Sequence, residues 1–103
     1  MSNLVKMPLT LDDLRASRED ILRLAERRGA YNVRVFGSVA RGEATPESDV
    51  DLLVATRSGV SVFDMVGLWL DLKDLLGCDV SLITEGIEDQ RFLSRIQAEL
   101  VTL

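Results

Sequence analysis

Several residue types on which enzymes commonly depend are absent or scarce in this chain. Its 103 residues include no histidine and a single cysteine, Cys78. The absence of histidine excludes His-based acid–base catalysis and most zinc sites of the His/Cys type. One cysteine cannot form an internal disulfide, which agrees with a reducing compartment. Any acid–base or metal chemistry must therefore depend on carboxylates.

Long apolar segments are also missing. No run of about 18 apolar residues occurs, so the sequence predicts no membrane span. The N-terminal residues MSNLVKMPLT lack the apolar stretch of a signal peptide, and we predict a cytoplasmic protein. The length is that of one domain, which we place over residues 1–103. A hydrophobic content of 47% argues against disorder.

Charge is unevenly distributed along the chain, whose formal net charge is −5. Residues 1–35 carry seven basic and five acidic side chains, and residues 36–103 carry five basic and twelve acidic ones. The acidic part repels the phosphates of nucleic acids. We therefore expect no direct binding of nucleic acid.

Hydrophobic spacing predicts helices that alternate with short strands. The expected helices cover residues 10–28, 61–76 and 87–98, and the expected strands cover 32–36, 49–54 and 79–83. Residues 39–48 are predicted as a turn of helix followed by a loop, and residues 100–103 as a short edge strand or an irregular tail. Thr10 and Ser61 each precede an aspartate by three residues, which is typical of a capped helix start. The order predicts a small mixed β-sheet flanked by helices, in the α/β or α+β class.

Two aspartates lie on the second predicted strand. Asp49 and Asp51 are two residues apart, so both side chains lie on one face of the strand, roughly 6–7 Å apart. Like charges on an apolar strand destabilise it unless a cation lies between them, and the strand contains no lysine or arginine. Mg²⁺ binds one or two carboxylates together with substrate phosphate oxygens. The pair therefore predicts a magnesium site, and its spacing suits two ions.

A second feature precedes this pair. Gly37 and Ser38 end the first predicted strand and begin a helical turn. Glycine lets the backbone approach a phosphate closely, and the local amides and the Ser38 hydroxyl can donate hydrogen bonds to it. Phosphate donors and metal-binding carboxylates on adjacent strands together predict a site for a nucleoside triphosphate.

These residues carry a resemblance to a known family. Gly37-Ser38, ten intervening residues and Asp49-Val50-Asp51 match the GS-x10-D-x-D signature of the DNA polymerase β nucleotidyltransferase superfamily. The fuller string GSVARGEATPESDVDLLV resembles the minimal nucleotidyltransferases (MNT proteins) over nearly the whole chain. The resemblance implies the polymerase-β-type nucleotidyltransferase core. It also implies that Asp49 and Asp51 hold catalytic magnesium and that Gly37 and Ser38 contact the triphosphate of ATP.

Arg41 matches a position that is usually basic in this family. Two roles are open for it. It either steadies a phosphate or pairs with a carboxylate to hold the loop, and the acidic residues within reach in the sequence are Glu43, Glu47 and Asp49.

The family normally supplies a third carboxylate from the next strand, as the metal ligand and base that activates the acceptor hydroxyl. Here that strand reads CDVSLIT from Cys78. Alignment from the strand end puts Ser81 at the acidic position, whereas alignment from the strand start puts Asp79 there. Both residues are expected on the same face. We favour Asp79 as the functional carboxylate.

The resemblance also implies a partner. Minimal nucleotidyltransferases are commonly antitoxins of a HEPN ribonuclease, which they neutralise by transferring AMP from ATP to one of its tyrosines. We expect the same magnesium-dependent activity here, with a HEPN toxin as the partner chain. Two other functions are open: a non-catalytic antitoxin that acts by contact alone, and nucleotidyl transfer to a small molecule such as an aminoglycoside.

Overall fold

The computed structural model of the protein describes residues 8–86 and 89–103. Helices and strands follow one another in nearly the predicted order. They are α1 (Leu11–Ala16), α2 (Arg18–Arg27), β1 (Ala30–Phe36), α3 (Gly37–Arg41), β2 (Val50–Thr56), α4 (Val62–Leu76), β3 (Val80–Thr84), α5 (Gln90–Ile96) and β4 (Val101–Thr102). A 3₁₀ turn over Gln97–Glu99 connects α5 to β4. No helix in these ranges is long and apolar enough to cross a membrane.

The predicted helix caps are confirmed at the starts of α1 and α4. The amide of Asp13 donates to Thr10 Oγ1 at 3.1 Å, and the amide of Thr10 donates to Asp13 Oδ2 at 2.9 Å. Ser61 and Asp64 form the same reciprocal pair before α4. Each pair satisfies amides that have no partner inside the helix, and so fixes where the helix begins.

The four strands form one mixed sheet in the order β3-β2-β1-β4. β1 runs antiparallel to β2 and to β4, while β2 and β3 are parallel. In this register Asp51 pairs with Phe36 on one side and with Ser81 on the other. The end of β1 and the starts of β2 and β3 therefore meet at one end of the sheet.

The two faces of the sheet are covered differently. Leu52 and Val54 of β2 belong to the main core, which α1, α2 and α4 cover with Leu14, Ile21, Leu68 and Leu72. Leu53 belongs to a smaller cluster with Phe36 and Ile96, under α5. Because side chains alternate along a strand, Asp51 shares the face of Leu53. This second face has the thinner cover, so a polar group at its end remains accessible.

The first predicted helix is interrupted in the structure. The expectation of one helix over residues 10–28 is wrong in its continuity, because α1 ends at Ala16 and α2 begins at Arg18. Ser17 lies between them with φ −100° and ψ 12°, and its amide donates to the carbonyl of Leu14. Serine is a weak helix former in a helix interior, and it tolerates this local turn.

The strands begin and end one or two residues away from their predicted boundaries, and two of these differences concern candidate site residues. β2 begins at Val50 and β3 at Val80, so Asp49 and Asp79 each immediately precede a strand. The short edge strand predicted near the C-terminus is confirmed as β4, and the last helix covers Gln90–Ile96 before the 3₁₀ turn. The predicted start of that helix, at residues 87 and 88, lies outside the described residues.

Candidate functional site

Gly37 joins β1 to α3 and has a left-handed backbone, with φ +75°. A Cβ atom at this position would overlap Asp51 Oδ2 and lie 3.0 Å from Asp51 Cγ. Only glycine offers both this conformation and this space. The backbone of residue 37 and the Asp51 carboxylate are therefore in direct contact.

Asp49 and Asp51 differ in their surroundings. Asp49 is exposed just before β2, whereas Asp51 is partly buried within the strand. Burial raises the pKa of Asp51 above its ordinary value, and the negative charges of Asp49 and Glu99 raise it further, while Arg41 opposes them. The ionised form of Asp51 is therefore less favourable in the folded protein than in water, and a bound cation would stabilise it.

The donor set here suits magnesium. Carboxylate oxygens are the ligands that Mg²⁺ prefers, and one or two of them suffice when substrate phosphates complete its shell. Within residues 8–86 and 89–103, no group of three acidic or thiol side chains is arranged to hold a metal ion. Asp49 and Asp51 would provide two protein ligands to such an ion, with the remaining positions left to phosphate oxygens and water.

Glu99 is a member of this site that sequence analysis missed. Its Oε1 accepts a hydrogen bond from the Gly37 amide at 3.0 Å, and its Oε2 accepts one from Arg41 Nη1 at 3.0 Å. These two bonds hold the pKa of the Glu99 carboxyl below its ordinary value. Glu99 is 62 residues from Gly37 in the chain, so no local motif could connect the two.

Arg41 lies in the last turn of α3, and its guanidinium is shared between two carboxylates. Its Nε donates to Glu43 Oε1 at 2.8 Å, in addition to the bond to Glu99. These bonds raise the pKa of Arg41. Pairing with Glu43 was one of the predicted alternatives, and the structure confirms it. The side chain of Arg41 is still 45% exposed, so it remains accessible to an incoming phosphate.

Asp79 and Ser81 are placed differently with respect to Asp51. Ser81 is the residue of β3 directly paired with Asp51. Asp79 precedes the strand, and its carboxylate lies 3.8 Å from Lys73 Nζ with its side chain 79% exposed. The main chain of Asp79 is fixed, because its carbonyl accepts the Val50 amide at 3.0 Å. The structure thus brings Asp49, Asp51 and Glu99 together, and directs Asp79 toward Lys73.

Sequence comparison places the chain among known proteins. Residues 15–102 match the family described as the nucleotidyltransferase domain. A protein of Methanocaldococcus jannaschii, provisionally named a protein adenylyltransferase, is 34% identical over 84 residues, which are 82% of this chain and 90% of that protein. The protein adenylyltransferase MntA of Thermococcus cleftensis is 41% identical over 63 residues, which are 61% of this chain and 64% of that one.

Solved structures show the same fold. A protein described as a minimal nucleotidyltransferase is 45% identical, with a TM-score of 0.83 over 92% of this chain and 97% of that one. A complex of a tri-AMPylated HEPN toxin of Shewanella oneidensis with an MNT antitoxin contains a chain with a TM-score of 0.66 at 16% identity, over 85% of this chain and 69% of that one, a likeness of fold. With its four-stranded mixed sheet and its match over residues 15–102, the chain belongs to the nucleotidyltransferase family of enzymes.

Proposed function

We propose that this protein is a magnesium-dependent adenylyltransferase that transfers AMP from ATP to a tyrosine hydroxyl of a HEPN toxin, and so acts as its antitoxin. The contact between the Gly37 backbone and the Asp51 carboxylate carries the proposal, because it joins a phosphate-binding position to a metal-binding one. Curated relatives named protein adenylyltransferases support a protein as the acceptor. The proposed unit is one domain, residues 1–103, acting in the cytoplasm.

Each residue of the site has an assigned task in this reaction. Gly37, Ser38 and Arg41 bind the phosphates of ATP. Asp49 and Asp51 hold magnesium, which when bound supplies positive charge to the reacting phosphates, and two ions are expected. The bond from the α-phosphorus to pyrophosphate breaks as a bond to the acceptor oxygen forms, and pyrophosphate leaves. Binding both reactants in this orientation supplies much of the rate.

The proton of the acceptor hydroxyl requires a base. Asp79 keeps this role in the proposal, as the exposed carboxylate at the start of β3. Its present partner, Lys73, lies 3.8 Å away at the protein surface, where an ion pair contributes little and is easily exchanged. A rotation of the Asp79 side chain is therefore sufficient to free it for an acceptor that a partner presents.

The surface of α4 supports a protein partner. Phe63 is 85% exposed and Val62 is 71% exposed, while Val66 and Leu70 are 44% and 52% exposed. Phe63, Val66 and Leu70 follow one another at helical spacing and form an apolar stripe on the outside of the helix. Contiguous exposed apolar surface commonly marks an interface. In this proposal the stripe contacts the helical HEPN protein.

One experiment tests the proposed activity directly. The product of the neighbouring gene is incubated with this protein, ATP and MgCl2, and the intact mass of that product is measured. We expect the mass to rise by one or more AMP units, and not to rise with Asp49→Ala or with EDTA. An unchanged mass in a stable complex would overturn the adenylyl-transfer proposal.

Contact-only neutralisation is the second candidate. It is favoured by one observation, the serine that β3 places beside Asp51 where the family normally has a carboxylate. If the wild-type protein neutralises the toxin in the presence of ATP and MgCl2 while no mass is added, this second function replaces the first.

A further inference from the structure

The carboxylate of Glu99 occupies two of the donors that the proposed function assigns to phosphate. One oxygen accepts the Gly37 amide and the other accepts Arg41 Nη1, both at 3.0 Å. A carboxylate and a phosphate make the same kind of contact, since each offers anionic oxygens to an N–H donor and to a guanidinium. The bound Glu99 side chain is thus an intramolecular counterpart of a phosphate group.

The backbone that carries Glu99 is firmly attached to the sheet. β4 pairs with β1 through Arg34↔Thr102 and Val35↔Val101. The Leu103 amide donates to the Val33 carbonyl at 3.0 Å, and Arg18 Nε donates to the Leu103 carbonyl at 2.7 Å. Because these bonds hold the main chain, a rotation of the Glu99 side chain is enough to vacate the site, and β4 stays paired.

The bonds to Gly37 and Arg41 stabilise the ionised Glu99 carboxylate, whereas the nearby charge of Asp51 opposes it. The charge of Glu99 lies near Asp51 and adds to the repulsion between Asp51 and Asp49. Glu43 offers Arg41 an alternative partner at 2.8 Å. Arg41 therefore stays paired with Glu43 when Glu99 leaves, whereas the Gly37 amide becomes free to donate to a new ligand.

We propose that Glu99 sets the affinity of this enzyme for its nucleotide, by holding the Gly37 amide and Arg41 until a triphosphate displaces it. This rests on the proposed function, because it takes Gly37 and Arg41 as phosphate donors. Glu99 competes with the phosphates of the nucleotide, and this competition does not depend on which base the nucleotide carries. Removing the charge of Glu99 therefore strengthens the binding of any triphosphate group and leaves the binding of a nucleoside unchanged.

The test compares Glu99→Gln with Glu43→Gln, a matched change at the other carboxylate bound to Arg41. Glutamine keeps the shape of Glu99, but only its carbonyl oxygen accepts, so one of the two hydrogen bonds is lost and the other becomes that of a neutral acceptor. Calorimetric titration uses three probes with each protein: ATP with Mg²⁺, inorganic tripolyphosphate with Mg²⁺, and adenosine. Mg²⁺ alone is titrated as a fourth probe, and thermal unfolding checks that the variants fold.

We expect Glu99→Gln to bind ATP and tripolyphosphate about fivefold more tightly than the wild type, since charge-assisted hydrogen bonds are about twice as strong as neutral ones. Adenosine binding stays unchanged, and Glu43→Gln changes each affinity less than twofold. Equal or weaker ATP binding by Glu99→Gln overturns the inference, and so does a loss of Mg²⁺ affinity, which would make Glu99 a metal ligand.

The same titrations separate this inference from the proposed function. If the wild type binds Mg–ATP and Asp49→Ala does not, the nucleotide site is supported whatever Glu99→Gln shows. If neither the wild type nor Glu99→Gln binds Mg–ATP, the proposed function fails and the role of Glu99 fails with it.

Discussion

Gly37 and Asp51 are in such close contact that no side chain fits at position 37. The antiparallel register that pairs Phe36 with Asp51 produces this contact, because it places the residue after Phe36 next to the Asp51 carboxylate. A glycine and an aspartate fourteen positions apart in the sequence are thereby joined into one site. The pairing explains why a fixed spacing between Gly-Ser and Asp-x-Asp can carry chemistry.

Gly37→Ala tests this contact. Alanine at φ +75° costs about 1–2 kcal/mol of unfolding free energy, and its methyl group must also displace the Asp51 carboxylate. We expect Mg²⁺-dependent transfer to fall by more than 100-fold in a protein that is still folded at 25 °C. Calorimetry of Mg²⁺ binding and the AMP-transfer assay measure the effect.

Gly42→Ala is the matched control for that change. Gly42 has φ +74°, nearly the same conformation, but nothing lies within 4 Å of an added Cβ. It should lose a similar free energy of unfolding and keep its Mg²⁺ affinity. Equal Mg²⁺ affinity in the two variants would show that the contact between Gly37 and Asp51 does not contribute to Mg²⁺ binding.

Asp51→Asn should stabilise the metal-free protein at neutral pH. Burial and the charge of Asp49 raise the pKa of Asp51 in the folded state, so the folded protein holds its proton more tightly than the unfolded chain. The folded protein is therefore destabilised when Asp51 loses its proton. This loss of stability is absent at low pH and develops as the pH rises through the pKa of Asp51 in the folded state. Asparagine, which is always neutral, avoids that loss.

The measurement is thermal unfolding in EDTA between pH 3 and pH 7. The melting temperature of Asp51→Asn should exceed that of the wild type at pH 7, and the difference should shrink toward zero at pH 3. Addition of MgCl2 should raise the melting temperature of the wild type alone. A variant that is less stable than the wild type at pH 7 would contradict the assigned electrostatic cost.

Much of the fold was predictable because its signals are local. The capping pairs Thr10 with Asp13 and Ser61 with Asp64 lie within four residues, and each fixes a helix start. The branched apolar run that follows Asp51 indicates a buried strand, which the structure confirms as β2. The break at Ser17 was missed, since hydrophobic spacing continues across it and only the backbone conformation of Ser17 shows the interruption.

The site was predictable in part, for the same reason. Gly37 and Asp51 are joined by a motif of fixed spacing, whereas Glu99 reaches Gly37 only because β4 pairs with β1. The sequence also left the register of β3 open, because Asp79 and Ser81 are two residues apart and either suits a strand face. Pairing with β2 resolves the register and sets Ser81 beside Asp51.

Asp79→Asn tests the proposed base. If Asp79 accepts the proton of the acceptor hydroxyl, the transfer rate should fall by about 10²–10⁴-fold while the affinity for Mg–ATP stays within twofold. Asp74→Asn is the matched control, since it removes an exposed carboxylate of α4 close by in the sequence. A full transfer rate in Asp79→Asn would remove Asp79 from the mechanism.

Ser81→Asp addresses the alternative position in the same assay. It places a carboxylate on the residue of β3 that pairs with Asp51. We expect tighter Mg²⁺ binding than in the wild type, because a third carboxylate joins Asp49 and Asp51. If Ser81→Asp also restores transfer to Asp79→Asn, the base functions from either position.

Phe63→Asp tests the apolar stripe of α4 as the contact with the proposed HEPN partner. Phe63 is 85% exposed, so aspartate there should leave the melting temperature within about 2 °C of the wild type. Loss of a buried aromatic anchor at an interface costs about 2 kcal/mol or more, so the complex should weaken by at least about 30-fold. Affinity measured by calorimetry or by surface-immobilised partner provides the comparison.

Leu75→Asp is the matched control on the same helix. Leu75 is 37% exposed and, at about 100° per residue, lies roughly 120° around α4 from Phe63. It should bind the partner with nearly wild-type affinity. Equal weakening by both substitutions would indicate a general effect of negative charge on association, and unchanged affinity in Phe63→Asp would place the partner on another surface. A weakened complex with unchanged ATP binding would separate partner recognition from the nucleotide site, since the stripe on α4 and the Gly37–Asp51 contact lie on different elements.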